Sequence, residues 1–363
     1  MSDITLKQNK KLDELNYFNA IACLFVVLIH VLSLGITSLD RQSLQMAAVY
    51  IPWKLAAYVV PGFLFTGAVK MALGFGSGKP APYLPYVWRR VTKIYLPYVV
   101  YVVIYFLYFV DIGWYVMDPK LLLHSIVFGD ISSPFYYVVT VMQFYLLMPL
   151  WKWLVAKTPW FTTLPVCMLI SFAMPRLGDV CAAFGVTFRW SDRIFPTYVF
   201  FWVLGLYVGK YYGKVSEAIT KHKTALMLCI VPSAAFAVMN YLQYKTNVFV
   251  YGADANCMKL VSDTLSIFFF LALSVIIKDS GASCLKKALS FIFSASFTVY
   301  LSHCYFLNVV DRQLALHGVT DIGVNLAVRA LVCFTLPFLW FVIVRCAKVA
   351  LTWLWRRVSP KKA

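Results

Sequence analysis

His30 is the residue of this chain whose type and position most directly indicate chemistry. It lies in the run Phe-Asn-Ala-Ile-Ala-Cys-Leu-Phe-Val-Val-Leu-Ile-His-Val-Leu, which starts at Phe18 and carries almost nothing else polar. An ionisable group in such a segment needs a partner or a task, because hydrocarbon does not hydrate it. Burial favours the neutral imidazole, which can accept a proton from a hydroxyl group. The alternative is a histidine that only bonds a neighbouring helix.

Asn19 and a basic helix start are predicted on the cytoplasmic side of His30. Asn19 precedes His30 by eleven residues, which returns to nearly the same helix face about 16 Å away. The start of the third predicted span carries Arg89, Arg90 and Lys93 within two turns, an arrangement suited to holding phosphates. Ordinary topology charge is the alternative for these three residues.

Two further stripes of polar residues follow single helix faces. One lies in the fourth predicted span and the other in the ninth, at steps of three or four residues. Packing between helices and contact with a substrate are both open for these stripes. The stripe in the fourth predicted span consists of Tyr137, Thr140 and Gln143. The stripe in the ninth predicted span consists of Ser296, Tyr300 and His303.

Three arginines on the predicted outer side depart from the usual placement of positive charge inside the cell. They are Arg176, Arg189 and Arg193, and Asp263 near the outer end of the eighth span is a further exception. These residues could bind an anionic ligand. Equally, the arginines could pair with Asp179, Asp192 or Asp263.

The elements that must position all these side chains are membrane-spanning helices. Hydrophobic residues make up 61% of the chain and charged residues only 13%, which excludes a soluble globular domain. Windows of about 20 apolar residues predict an all-α, polytopic bundle of ten spans. Their approximate ranges are 17–36, 48–72, 94–113, 134–152, 159–175, 194–212, 224–242, 259–277, 289–310 and 323–347.

The net charge of +18 is explained by membrane topology. Most of the 33 Lys and Arg residues fall on one set of alternate connections, and positive charge marks the cytoplasmic side. Both termini are therefore predicted to be cytoplasmic, and a nucleic-acid partner is not indicated. Because the connections are short, residues 1–363 are expected to form a single integral-membrane domain without a separate soluble domain.

The nine cysteines are scattered along the chain. They form no Cys-x-x-Cys motif and no His/Cys cluster at ligand spacing. The sequence therefore predicts no metal site and no redox motif.

Six sequence blocks, in this order, resemble the acyltransferase-3 family of integral-membrane acyltransferases: residues 20–30, 63–67, 89–98, 137–149, 201–209 and 296–303. Within the family, the chain looks most like the branch that contains intercellular adhesin protein C, especially at residues 142–145. One departure concerns the position eleven residues before the catalytic histidine, where the family has an arginine and this chain has Asn19. An amide cannot offer the charged fork of a guanidinium group.

The resemblance implies that His30 is the catalytic residue, acting as general base or as nucleophile. The donor would be an acyl-coenzyme A, either acetyl-CoA or succinyl-CoA, that enters from the cytoplasm and requires no metal. Its phosphates would lie near Arg89, Arg90 and Lys93, with Asn19 on the path to His30.

The implied acceptor is a hydroxyl group of a cell-surface or lipid-linked polysaccharide. The residues expected to contact it are Tyr137, Gln143, Arg176, Arg189, Arg193, Asp263, Tyr300 and His303. The expected location is the bacterial plasma membrane, among lipids and beside glycan synthesis or export machinery.

Two other functions compete with acyl transfer. Ten spans with intramembrane polar groups would also suit a transporter or exporter of polysaccharides or small molecules, although no pair of Gly- or Pro-broken helices in corresponding halves is evident. A membrane sensor or catalytically lapsed relative is the other alternative, and Asn19 in place of the family arginine favours it.

Overall fold

The computed structural model of the protein describes residues 12–75, 82–188, 190–246 and 255–358. Within these ranges the regular structure is entirely helical, which confirms the predicted all-α fold. Sixteen α-helices are joined by 3₁₀ and π-helical turns. They are α1 (Asp13–Ser38), α2 (Leu44–Leu55), α3 (Val59–Phe75), α4 (Tyr83–Arg90), α5 (Leu96–Asp111), α6 (Pro119–Phe128), α7 (Tyr136–Leu146), α8 (Met148–Lys157), α9 (Trp160–Ala173), α10 (Leu177–Ala183), α11 (Val199–Lys210), α12 (Tyr212–Leu226), α13 (Ile230–Thr246), α14 (Ala255–Asp279), α15 (Ser283–Leu316) and α16 (Ile322–Val358).

Eight stretches of helix among the described residues are long and apolar enough to cross a membrane. A bent pair of helices gives a ninth if it is counted as one span. The chain is therefore a multi-pass membrane protein, as predicted. The eight stretches are Asp13–Ser38, Leu44–Phe75, Tyr83–Asp111, Trp160–Ala183, Tyr212–Thr246, Met258–Asp279, Ser283–Leu316 and Ile322–Trp353.

The prediction of ten full spans was wrong at two of its segments. The helices of the bent pair, Pro119–Phe128 and Ser133–Leu146, meet at 56°. The break contains Gly129, whose φ of +64° favours glycine and whose added Cβ would lie 2.9 Å from the Phe135 carbonyl oxygen. The other segment is α11, which has only 12 residues and follows a 3₁₀ turn. At 1.5 Å per residue it measures about 18 Å, less than a bilayer core.

Helices α3 and α11 pack with their backbones in direct contact. A Cβ at Gly209 would lie 2.7 Å from the Val69 carbonyl oxygen, and a Cβ at Gly205 would overlap the Phe65 carbonyl oxygen. Small residues permit this approach between helices in a membrane. Beside it Trp202, fully buried on α11, stacks on Phe144 with ring centroids 4.5 Å apart. The stacking of Trp202 on Phe144 joins α11, and with it α3, to α7.

Helix α1 occupies the centre of the bundle and packs against α2, α3, α14, α15 and α16. Its first turn is fastened by Glu14, which is only 6% exposed. The Glu14 carboxylate accepts a hydrogen bond from Tyr212 and lies 3.2 Å from the ammonium group of Lys278. Buried charges are stable when paired in this way. The helix that bears His30 is thereby held at its N-terminal end.

Candidate active site

His30 and His303 face each other at the contact between α1 and α15. Their ring centroids are 5.1 Å apart, with an angle of 53° between the ring planes. His303 is completely buried, whereas His30 is partly exposed. The sequence identified both histidines as buried polar groups on separate helices. The structure brings them together in one site.

The hydrogen bonds of His303 determine which of its nitrogens can accept a proton. Its Nδ1 lies 3.0 Å from the carbonyl oxygen of Val299 and 2.9 Å from that of Tyr300. Carbonyl oxygens only accept hydrogen bonds, so Nδ1 must carry the hydrogen. In the neutral ring, Nε2 then presents a lone pair, and the Sγ of Cys304 lies 3.4 Å from it.

His30, His303 and Cys304 together form what we call the histidine centre. One ligand atom from each residue lies within 4.8 Å of the other two. Two imidazoles and a thiol within this distance could hold a metal ion. The sequence spacing did not reveal this cluster, because its members come from two helices far apart along the chain.

Arg329 holds the turn of α1 that carries His30. It lies on α16 and is only 3% exposed. Its guanidinium group donates to the carbonyl oxygens of His30 at 2.8 Å and Val31 at 3.2 Å, and to Ser33 Oγ at 3.2 Å. It also pairs with Asp311 of α15 at 2.6 Å. Arg329 therefore ties α1, α15 and α16 together behind the His30 ring.

Sequence reasoning assigned no role to Arg329. A usable signal was present, because an arginine inside an apolar span must find a partner. What the sequence could not supply is the identity of that partner. The three helices that meet at Arg329 are adjacent only in the folded bundle.

Two polar contacts join the N-terminal half of α1 to α3. The hydroxyl of Thr66 donates to Oδ1 of Asn19 at 2.7 Å, and the ammonium group of Lys70 donates to Oδ1 of Asn16 at 3.3 Å. The NH2 group of Asn19 thus keeps its two donors for other partners. Lys70 was not among the predicted site residues. It places a positive charge one helical turn from the position where the resembling family has an arginine.

The basic entrance, defined as Arg89, Arg90 and Lys93, is only partly directed inward. Arg90 is half-buried, and its guanidinium carbon lies 4.5 Å from the ring centroid of Tyr145 and 5.1 Å from that of Tyr86. Arg89 and Lys93 are exposed. A π-helical turn at Val91–Tyr95 follows, and such turns are frequent at functional sites.

Helix α7 connects the basic entrance with the histidine centre. Tyr145, which lies under Arg90, follows Tyr137 by eight residues, a rise of about 12 Å. The Tyr137 ring lies 5.8 Å from that of Tyr300, which in turn lies 6.4 Å from that of His303. Tyr137 and Tyr300 therefore lie beside the histidine centre. The Tyr300 hydroxyl donates to the carbonyl oxygen of Pro134, at the break between α6 and α7.

Gln143 has its partners in the backbone of a neighbouring segment. Its NH2 group donates to the carbonyl oxygen of Arg193 at 2.7 Å, and its Oε1 accepts from the Phe195 N–H at 3.0 Å. These bonds use both the donor and the acceptor group of the amide. They hold the segment before α11 against α7.

Arg176 and Arg193, two of the three arginines predicted on the outer side, have different partners. Arg193 pairs with the neighbouring Asp192 at 3.8 Å, as one of the sequence alternatives had it. Arg176 donates to the carbonyl oxygen of Phe172 at 2.8 Å and lies over the ring of that residue. Arg189 lies outside the described residues. The carboxylate of Asp263, another of the alternatives, pairs with Lys259 one turn earlier on α14.

A cavity of about 210 Å³, lined by both apolar and polar residues, lies beside this ion pair. The Lys259–Asp263 pair forms part of its wall, and Asp192 contributes a second carboxylate. Carboxylates and hydroxyls are groups that bond the hydroxyls of a sugar. The other polar residues lining the cavity are Ser171, Ser191, Thr197 and Tyr198.

Comparison with protein families assigns most of the chain to one model. A family model described as an acyltransferase domain matches residues 12–354. This range includes the histidine centre, the basic entrance and Arg329. The searches of curated proteins and of solved structures gave no match.

Proposed function

The chain belongs to the acyltransferase-3 family, and from this premise we propose that it transfers an acyl group from a cytoplasmic acyl-CoA to a hydroxyl group of a cell-surface or lipid-linked polysaccharide. Acetyl and succinyl are the two acyl groups considered. The catalytic residue is His30. The family supplies the general activity of a membrane acyltransferase, and the donor, the acceptor and the roles of residues are our proposal.

The observation that carries this proposal is the placement of His30 against His303, with Arg329 behind it. Three contacts to Arg329 fix the His30 turn, and a catalytic base gains from such fixed positioning. His30 takes the proton of the acceptor hydroxyl as general base, or carries the acyl group briefly as nucleophile. In both cases a ring nitrogen of His30 supplies the lone pair.

The donor route runs from the basic entrance along α7. Arg90 is positioned between two tyrosine rings, so its guanidinium group is ready to bind a phosphate of coenzyme A. Arg89 and Lys93 add positive charge at the exposed surface. Asn19 and Lys70 provide donors further along, and the thioester reaches the histidine centre beside Tyr137 and Tyr300.

The acceptor approaches from the opposite side, where the cavity beside Asp263 offers polar groups. Arg193, the residue after Asp192 of the cavity wall, has a buried Nε without a hydrogen-bond partner in the described part of the chain. Such a donor suits an acidic or pyrophosphate-linked glycan. The resemblance to the intercellular adhesin protein C branch supports a bacterial envelope polysaccharide as the target, with glycan synthesis or export machinery nearby in the plasma membrane.

The test is the His30→Ala variant in purified, full-length protein. General acid–base catalysis contributes about 10²–10⁴-fold, so release of the coenzyme A thiol and acylation of the glycan should fall by this factor. The matched control is His317→Ala, an exposed histidine just after α15, which should keep the wild-type rate. Acylation at the wild-type rate by folded His30→Ala protein would refute the mechanism. Mass spectrometry of the cell envelope with and without the protein identifies the added group.

A further inference from the structure

Two spacings in the histidine centre match those of a zinc site. Zinc binds nitrogen at about 2.0–2.1 Å and sulfur at about 2.3 Å, so tetrahedral ligands of the two kinds lie about 3.6 Å apart. Cys304 Sγ lies 3.4 Å from His303 Nε2. Two imidazoles on one tetrahedral zinc have ring centroids about 5 Å apart by the same bond lengths. The centroids of His30 and His303 are 5.1 Å apart.

The residues behind the three ligands support the same interpretation. A zinc-binding histidine almost always donates its other ring N–H to a carbonyl or carboxylate group. His303 does so through Nδ1 to the carbonyl oxygens of Val299 and Tyr300, which leaves Nε2 as the ligand atom. The three ligand atoms already lie within 4.8 Å of one another.

We propose that His30, His303 and Cys304 bind a zinc ion and that bound zinc inhibits acyl transfer. Two nitrogens and a thiolate match the ligands that zinc prefers, and three protein ligands leave a fourth position open. On binding, the Cys304 thiol releases its proton to solvent and its sulfur bonds to the metal. The inhibition, unlike the binding, rests on the proposed catalytic role of His30.

The reason for inhibition is that one lone pair cannot serve two purposes. The His30 nitrogen that bonds zinc can no longer accept the proton of a hydroxyl or attack a thioester. Zinc and catalysis therefore exclude each other. The site would make acyl transfer respond to the concentration of free zinc.

Metal binding is tested with Co²⁺, which occupies zinc sites and reports a bound thiolate by a charge-transfer band in the near ultraviolet. Full-length wild-type protein, purified without metal, should develop this band on titration. Cys304→Ser should lose the band. It should also weaken metal binding by about 100-fold or more, because replacing a residue that only supports a ligand already weakens binding by about 10- to 100-fold. The control is Cys333→Ser, a similarly buried cysteine on α16 that should keep the band. His303→Gln should weaken binding as well, so the result does not depend on one variant.

Inhibition is tested by adding Zn²⁺ to the acyl-transfer reaction and dividing each rate by the metal-free rate of the same variant. The zinc concentration for half inhibition should rise by about 100-fold in Cys304→Ser and stay unchanged in Cys333→Ser. Absence of the cobalt band in wild-type protein, or an unchanged band in Cys304→Ser, would overturn the site. Activation by zinc would overturn the inhibitory role. A normal cobalt band in protein that transfers no acyl group would contradict the proposed function and leave the metal site standing.

Discussion

The two histidines and the basic entrance were both predicted as functional groups from their residue types and positions, yet their surroundings in the structure differ. The histidines converge with Cys304 and are backed by Arg329, whereas two of the three basic residues point away from the protein. Water hydrates an exposed ammonium or guanidinium group, but nothing hydrates an imidazole among apolar helices. Burial therefore forces polar groups together, and exposure leaves them independent.

The largest effect is expected at the histidine centre for Arg329→Gln. This change leaves Asp311 without its partner and removes the charged bonds to the backbone of α1. Asp311 is 39% exposed, so the main loss is at the carbonyl oxygens of His30 and Val31, at about 1–3 kcal/mol for each bond left unmade; thermal stability should fall strongly and acyl transfer with it. Arg312→Gln, at an exposed arginine of α15, is the control and should unfold at the wild-type temperature. Equal stability of the two variants would show that Arg329 does not hold α1.

At the basic entrance, Arg90→Ala should raise KM for the acyl-CoA by about 10- to 100-fold, because a positioned charged hydrogen bond contributes about 1.5–3 kcal/mol. Arg89→Ala should raise it by no more than about fivefold, since exposed ion pairs contribute at most about 1 kcal/mol. Steady-state kinetics at varied donor concentration measure both values. A larger effect at Arg89 would reverse the assignment of the inward-facing residue.

Lys70, which contacts Asn16 of α1, tests how the proposed donor route continues from the basic entrance to the histidine centre. Lys70→Gln removes the positive charge beside Asn16 and should raise KM for the acyl-CoA by about five- to tenfold. If Lys70 replaces the arginine of the family, Asn19→Arg should restore much of this loss in the double variant. A double-mutant cycle measures the coupling. Additive effects would mean that Lys70 and position 19 bind different parts of the donor.

The smallest effect is expected far from both regions, at the ion pair between Lys223 of α12 and Asp279 of α14. The two charges lie 2.8 Å apart, but each side chain is about one third exposed to solvent. Lys223→Gln should therefore change the free energy of unfolding by no more than about 1 kcal/mol and leave donor kinetics unaltered. A loss of stability as large as that of Arg329→Gln would contradict the conclusion that burial determines the size of the effect. Thermal unfolding in one buffer compares the two variants directly.

The sequence predicted the fold class well because apolar windows report membrane helices directly. It overestimated the number of full spans where the chain breaks locally, at Gly129 and before the short α11. His30 and His303 were both found, since a lone titratable group in an apolar run is visible in the sequence. Their meeting with Cys304 was not, because the rotation of α1 against α15 is set by packing across the whole bundle.

Gln143 and Asp263 show the same limit from the other direction. Each was identified as a polar group that needs a partner, and each has one. For Gln143 the partners are backbone groups of a distant segment, which no residue pattern records. For Asp263 the partner is the adjacent lysine on its own helix. Side-chain type shows that a bond is required, while the folded chain decides with which atom.

The bonds from Arg329 to three residues of α1 have a consequence for how material crosses the membrane. A carrier that rocks between two openings would have to break these charged contacts, and the pair with Asp311, in every cycle. In the acyl transfer proposed above, a fixed α1 is no obstacle, because the helices stay still and only the small acyl group moves. One covalent bond is exchanged for another, and neither the proposed donor nor the proposed acceptor has to pass through the bundle.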